Sequence, residues 1–218
     1  RKTRKTTWVW KETLKLFKMT TLIDYEKLIL NNPRSFEFME PFLGKYLQIL
    51  PINKRYKVLD IGCFQGSNIL PFIELGAEKL YGVDNARIPV EIFSNKVYNG
   101  YGPKTHKTLD LKIGKIEDYV FPKSLDLILA FRVFQHLTKQ NSLKVIENMQ
   151  ENTKRNGHNL FILWETGQRY DEKLGYFTED EIASLYQNVS SQKWDILECE
   201  RKKHKGYNAI FFAAKKNG

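Results

Sequence analysis

Apolar residues follow two different rhythms along the chain, and the change comes near Pro51. Before it the spacing is helical. Trp10, Leu14 and Phe17 share one face of residues 8–19, and a second helix is predicted over residues 22–30, stopped by Asn31-Asn32-Pro33. A third, over residues 34–50, carries Phe38, Phe42, Tyr46 and Ile49 on one stripe and ends before Pro51. After it, short apolar runs without polar alternation recur at residues 56–61, 79–83, 109–113, 125–130 and 159–164. Such runs suit strands buried on both faces of a parallel sheet. Stretches of helical length (67–75, 86–97 and 139–153) separate them, and strand alternating with helix means βαβ units wound into a doubly wound sheet. The end differs. Thr178 with Glu181 three residues later forms a capping box, which predicts a helix start. Runs 194–200 and 207–214 flank Lys205-Gly206, which predicts an antiparallel hairpin added to the parallel sheet.

Composition narrows the class. With 218 residues, 42% hydrophobic and 28% charged, the chain reads as a globular protein with one sizeable core. The expected organisation is a basic arm and helical cap over residues 1–50 and a catalytic domain over 51–218, together one structural unit. No apolar run approaches the roughly 18 residues of a membrane-spanning helix, and the N-terminus shows no secretory signal core. The two cysteines, Cys63 and Cys199, have no ligand or disulfide-framework spacing, so a reducing, cytoplasmic setting is expected. The net charge of +10 is polarised: residues 1–20 hold seven Lys/Arg and one acid, residues 201–218 hold six Lys/Arg and no acid, and the rest is left at −2. Two basic ends are weaker evidence for nucleic acid than one basic face, and a frayed arm plus a solvated hairpin tip is the favoured reading.

The chemistry is expected where ligands lie in open α/β sheets, beyond the carboxyl ends of the strands. The first strand ends in Leu59-Asp60-Ile61-Gly62-Cys63-Phe64-Gln65-Gly66-Ser67, a turn delivering the chain into a helix expected near Ser67, with free N–H groups aimed at the ligand space. The second strand ends in Asp84, where a nucleotide's ribose diol would be held. A dinucleotide fingerprint would need glycine where Phe64 stands and Gly or Ala at Ser67, so NAD and FAD are disfavoured. The phosphate-binding P-loop pattern is absent. Cys63 has no basic neighbour and reads as loop filler rather than a nucleophile. His106, His158 and His204 are too scattered to suggest a metal site.

Asp60-x-Gly62-x-x-x-Gly66 resembles the first motif of class I S-adenosylmethionine (SAM)-dependent methyltransferases, a Rossmann-like family. The resemblance runs from about Tyr56 to Ala214. It takes in Gly82-x-Asp84, Gly114-x-x-Glu117-Asp118, Leu125-Asp126-Leu127-Ile128 and Arg155-Asn156-Gly157, all in the family's order. The stretch from Asn148 onward is similar to tellurite-resistance-type and other small-molecule methyltransferases. The resemblance implies a seven-stranded, mostly parallel α/β sheet with a closing antiparallel hairpin. It implies that Asp60 and the Gly62 backbone hold the amino-acid end of SAM, with Gly66 giving close approach. Asp84 would take the ribose hydroxyls and Asn85 would lie beside the adenine. The Ile116 N–H and Glu117 or Asp118 would serve the adenine, and Phe131 main chain would lie near the methionine moiety. Two positions depart from the family: Phe64 replaces a common middle glycine, and Lys115 replaces a common acid.

Methyl transfer needs alignment first and a base only if the acceptor must lose a proton. The segment Phe131-Arg132-Val133-Phe134-Gln135-His136-Leu137 resembles the V-x-x-H-L of small-molecule methyltransferases, not the N/D-P-P-Y of nucleic-acid N-methyltransferases. A small-molecule acceptor is therefore expected; the alternatives are RNA or protein guided by the basic ends, or a SAM-binding module without catalysis. His136 is the candidate base, since imidazole titrates near neutrality; an orienting histidine is the plainer alternative. Glu165, after the fifth strand, could bind a cationic acceptor, act as base, or be a solvated loop carboxylate. Arg169 and Tyr170 extend that loop.

Overall fold

A computed structural model describes residues 39–52, 55–164, 175–189, 192–204 and 206–218. The helices expected over 8–19 and 22–30 lie outside the described residues. The third is shorter within them: α1 spans Pro41–Leu47, begun by Pro41 with its preset φ, and buries Phe42, Leu43, Tyr46 and Leu47. The order then runs β1 (Lys57–Ile61), α2 (Leu70–Glu74), β2 (Lys79–Asp84), α3 (Arg87–His106), β3 (Leu109–Ile113), β4 (Leu125–Phe131), α4 (Lys139–Asn152), β5 (Thr153–Trp164), α5 (Glu179–Gln187), β6 (Trp194–His204) and β7 (Tyr207–Lys216). Single 3₁₀ turns at Ile116–Asp118 and Phe134–His136 follow β3 and β4.

The seven strands form one sheet in the order β3-β2-β1-β4-β5-β7-β6. The first five are parallel, and β7 runs antiparallel to both β5 and β6. Every residue of β4 is buried, as a central strand covered on both faces must be. Its one charge, Asp126, accepts the Lys57 N–H at 2.8 Å and pairs with Lys154. On one face α1, α2 and α3 bury Phe42, Phe72 and Phe93 against the sheet. On the other α4 and α5 close over Phe161, Phe212 and Tyr186, with the Phe161 and Phe212 rings stacked 4.5 Å apart. Asn159 is fully buried there yet satisfied: its Oδ1 accepts from Thr153 Oγ1 at 2.6 Å and its Nδ2 donates to the Tyr186 hydroxyl at 3.0 Å.

The capping box forms as expected. The Glu181 N–H donates to Thr178 Oγ1 at 3.2 Å, and the Thr178 N–H donates to Glu181 Oε2 at 2.8 Å. Gly206, at φ 89°, lies in the β6–β7 turn. Other boundaries moved. The helix expected from Ser67 begins at Leu70, because residues 67–69 are spent on tight turns in which Ile69 and Leu70 both donate to the Gly66 carbonyl. Helix α3 runs past the expected Val97, with a break at Gly102 (φ 80°) just before Pro103. Among the described residues no helix is long and apolar enough to cross a membrane.

Candidate functional site

Parallel register sets the site. Asp60 pairs with Gly82, Asp84 with Ile113, and Phe131 with Ile162, so β1 to β5 end along one edge of the sheet. That edge gathers Asp60, Gly62, Gly66, Asp84, Asn85, Ile116, Glu117, Phe131 and His136. Glu165, Arg169 and Tyr170 lie outside the described residues.

The turn after β1 is built on left-handed backbone. Gly62 stands at φ 73° and Gly66 at φ 70°, and each has a neighbour where a side chain would be. A Cβ on Gly62 would lie 2.5 Å from Val133 Cγ2, and one on Gly66 would lie 2.3 Å from the ring of Phe93. Phe93 is fully buried and cannot step aside. Gly66→Ala therefore combines an unfavourable φ with an overlap against a fixed ring. It is expected to cost on the order of 3 kcal/mol and to lower the melting temperature by roughly 5–10 °C, as read by calorimetry.

Between these glycines Phe64 also adopts a left-handed conformation, at φ 45°, and its N–H donates to Asp84 Oδ2 at 2.9 Å. The other oxygen, Oδ1, accepts the Ala86 N–H at 2.8 Å. Asp84 is thus held on each oxygen by one backbone donor. A carboxylate offers about four acceptor positions, so two remain for a diol. Asn85 beside it is exposed.

Asp60 is the most unusual group at this edge. It is 1% exposed, and neither carboxylate oxygen has a hydrogen-bond partner. Burial, reinforced by the Asp84 charge, pushes its pKa up to about 8, with Asn68 working the other way. A buried carboxylate without a partner calls for a cation or a strong donor. The amino group of a methionine moiety fits that description.

Asn68 is a residue the sequence reading passed over. Its Oδ1 accepts the Glu40 N–H at 3.0 Å, so it ties the start of α1 to the turn while facing Asp60. The signal available in sequence was only its place two residues after Gly66.

Ile116 is partly buried in the 3₁₀ turn after β3, and Glu117 Oε1 accepts a long bond from Asn141 Nδ2 at 3.4 Å. Asp118 points to solvent. Phe131 closes β4, its ring 6.1 Å from that of Phe42 on α1. Beyond it Arg132 turns through φ 60° and the Phe134–His136 turn leaves His136 exposed. Gln135 is buried, donates through Nε2 to the Arg132 carbonyl at 2.6 Å, and reaches His136 Nε2 at 3.4 Å. Its own Oε1 is without a partner.

The three other histidines are separate. His106 bonds Ser94 at 2.8 Å. Burial, helped by the Lys215 charge, lowers the His158 pKa to about 4, and His204 lies 3.8 Å from Glu40.

Comparison with known proteins agrees with this geometry. "Hemagglutinin 1" of Eikenella corrodens is 28% identical over 148 residues, covering 66% of this chain and 45% of its own length. The "probable S-adenosyl-L-methionine-dependent methyltransferase TehB" of Haemophilus influenzae is 27% identical over 145 residues, covering 65% of this chain and 47% of its own. The chain thus spans about half the length of the curated relatives it matches. In fold it is similar to magnesium protoporphyrin IX methyltransferase of Synechocystis PCC 6803, solved with bound S-adenosylhomocysteine (SAH). That likeness has a TM-score of 0.62 at 13% identity and covers 97% of this chain and 96% of the other. The family model for tellurite resistance protein TehB matches residues 38–210, most of the chain and all of the parallel sheet with its glycine turn, and the chain belongs to that family.

Proposed function

We propose that this protein is a SAM-dependent methyltransferase that passes a methyl group to O, N or S of a small-molecule acceptor by in-line displacement. The observation that carries the reading is the buried, unpartnered Asp60 carboxylate beside the Gly62–Gly66 turn and across from Asp84. Asp60 and the Gly62 backbone hold the amino-acid end of the cofactor, Gly66 lets the turn approach it, and Asp84 accepts the ribose hydroxyls. Asn85, the Ile116 N–H and Glu117 border the adenine, and Phe131 main chain borders the methionine moiety. When bound, SAM supplies a methyl group on a sulfonium that is already an activated leaving group. The chain's own task is then alignment and exclusion of water. His136, exposed at the same edge, takes the acceptor's proton. Glu165 is the second acceptor-facing candidate. Free thiols at Cys63 and Cys199 support action in a reducing, cytoplasmic setting.

Calorimetric titration with SAH tests the cofactor assignment. The wild type is expected to bind. Asp84→Ala is expected to lose roughly 1–3 kcal/mol of binding, about 5- to 150-fold in Kd. Asp84→Asn should fall between, since its amide can accept at only one atom. Absence of SAH binding, or tight binding of NAD instead, removes the reading. Transfer of labelled methyl to RNA but to no small molecule would replace the acceptor class.

A further inference from the structure

Phe64 combines three properties that a mere loop residue has no reason to share. It is a bulky residue at a positive φ of 45°, where only glycine is free of penalty. It is 53% exposed, so no core packing compensates. Its N–H is spent on Asp84 Oδ2 at 2.9 Å. Covalent geometry does the rest: Cβ is about 2.5 Å from its own N, so the carbon that carries the ring lies within about 5.5 Å of Asp84 Oδ2.

We propose that Phe64 is a cofactor-positioning residue whose ring covers the ribose held at Asp84, using backbone strain retained in the free protein to keep an apolar wall over that site. This rests on the SAM reading above. A ligand at Asp84 would bury a ring that is otherwise half exposed. A glycine here would relax the backbone and leave the ribose open on that side. Strain kept at a ligand site at the expense of stability is the expected signature of such a residue.

Three variants separate ring from backbone: Phe64→Gly loses both ring and strain, Phe64→Ala loses the ring and keeps the strained φ, and Phe64→Tyr keeps both. SAH titration and thermal unfolding of the free protein are the readouts. Phe64→Gly and Phe64→Ala should each weaken SAH binding about tenfold, the scale of covering a half-exposed aromatic ring. Phe64→Tyr should bind within about twofold of wild type. Without ligand, only Phe64→Gly should melt at a higher temperature than wild type, because only glycine releases the φ penalty. Unchanged SAH affinity in Phe64→Ala overturns the proposal, and so does a loss confined to Phe64→Gly. A wild type that binds no SAH overturns the functional reading itself and this inference with it.

Discussion

His136→Ala is expected to lower the rate of methyl transfer roughly 10²–10⁴-fold while leaving SAH affinity within about twofold. His136 sits in the 3₁₀ turn after β4, exposed at the edge where the strands end, whereas Asp60 and Asp84 belong to β1 and β2 and the glycine turn follows β1. Removing it should therefore touch the acceptor's proton and spare the cofactor. Whatever pH dependence the wild-type rate shows through the acceptor's proton should be lost in His136→Ala. His136→Gln keeps hydrogen bonding but cannot take up a proton, so it should be nearly as slow as the alanine variant. Near-normal activity of His136→Gln on the true acceptor would remove the base assignment and leave an orienting role. Because Gln135 is buried and anchored on the Arg132 carbonyl, such an orienting role would be shared with the turn itself.

Asp60 carries the second large effect, on stability and on binding together. An unfolded aspartate titrates near 3.9, and in the folded protein burial raises this group to about 8. Folding therefore takes up a proton. Below about pH 4 both states are protonated and the carboxyl costs nothing. As pH rises from there the unfolded state ionises freely while the folded state resists. The penalty grows until about pH 8 and then levels off, with a ceiling of roughly 5 kcal/mol. Without ligand, the protein should lose stability from pH 5 to pH 8 in denaturant titrations, and Asp60→Asn should flatten that slope. A cationic amino group beside Asp60 reverses the preference, so SAH binding near pH 7 should release a proton and tighten as pH rises towards 8. Calorimetry in buffers of different ionisation enthalpy reads the proton directly. Equal pH slopes in the wild type and Asp60→Asn, or binding without proton release, would show that Asp60 does not face the ligand's cation.

β1, β4 and β5 were legible because burial on both faces leaves its mark residue by residue, β4 most clearly, whereas β3, expected to be covered on both faces, is an edge strand with no buried residue. The capping box at Thr178 and Glu181 and the hairpin turn at Gly206 were legible because their chemistry is local. The start of α2 was not: hydrophobic spacing extends back to Ser67, but the tight turns on the Gly66 carbonyl take up the residues before Leu70. The placing of β7 between β5 and β6 was also missed. In retrospect the buried run Ala209–Ala214 against the polar alternation of β6 marks β7 as interior and β6 as the edge.

For the site the division follows the range of the interaction. The sequence by itself determined which residues stand at the strand ends, since a doubly wound chain must bring Asp60, Gly62, Gly66, Asp84 and Phe131 to one edge through parallel register. It also determined the backbone demands of the glycine turn, which depend on neighbours along the chain. Only the tertiary structure decided what surrounds them: that Asp60 lacks a partner, that Asp84 is clamped by Phe64 and Ala86, that Phe93 and Val133 press on the two glycines, and that Asn68 ties α1 to the turn. Hydrogen-bond satisfaction, desolvation and steric contact are properties of atoms brought together from distant parts of the chain. No pattern of spacing encodes them, and they exist only once the sheet has closed.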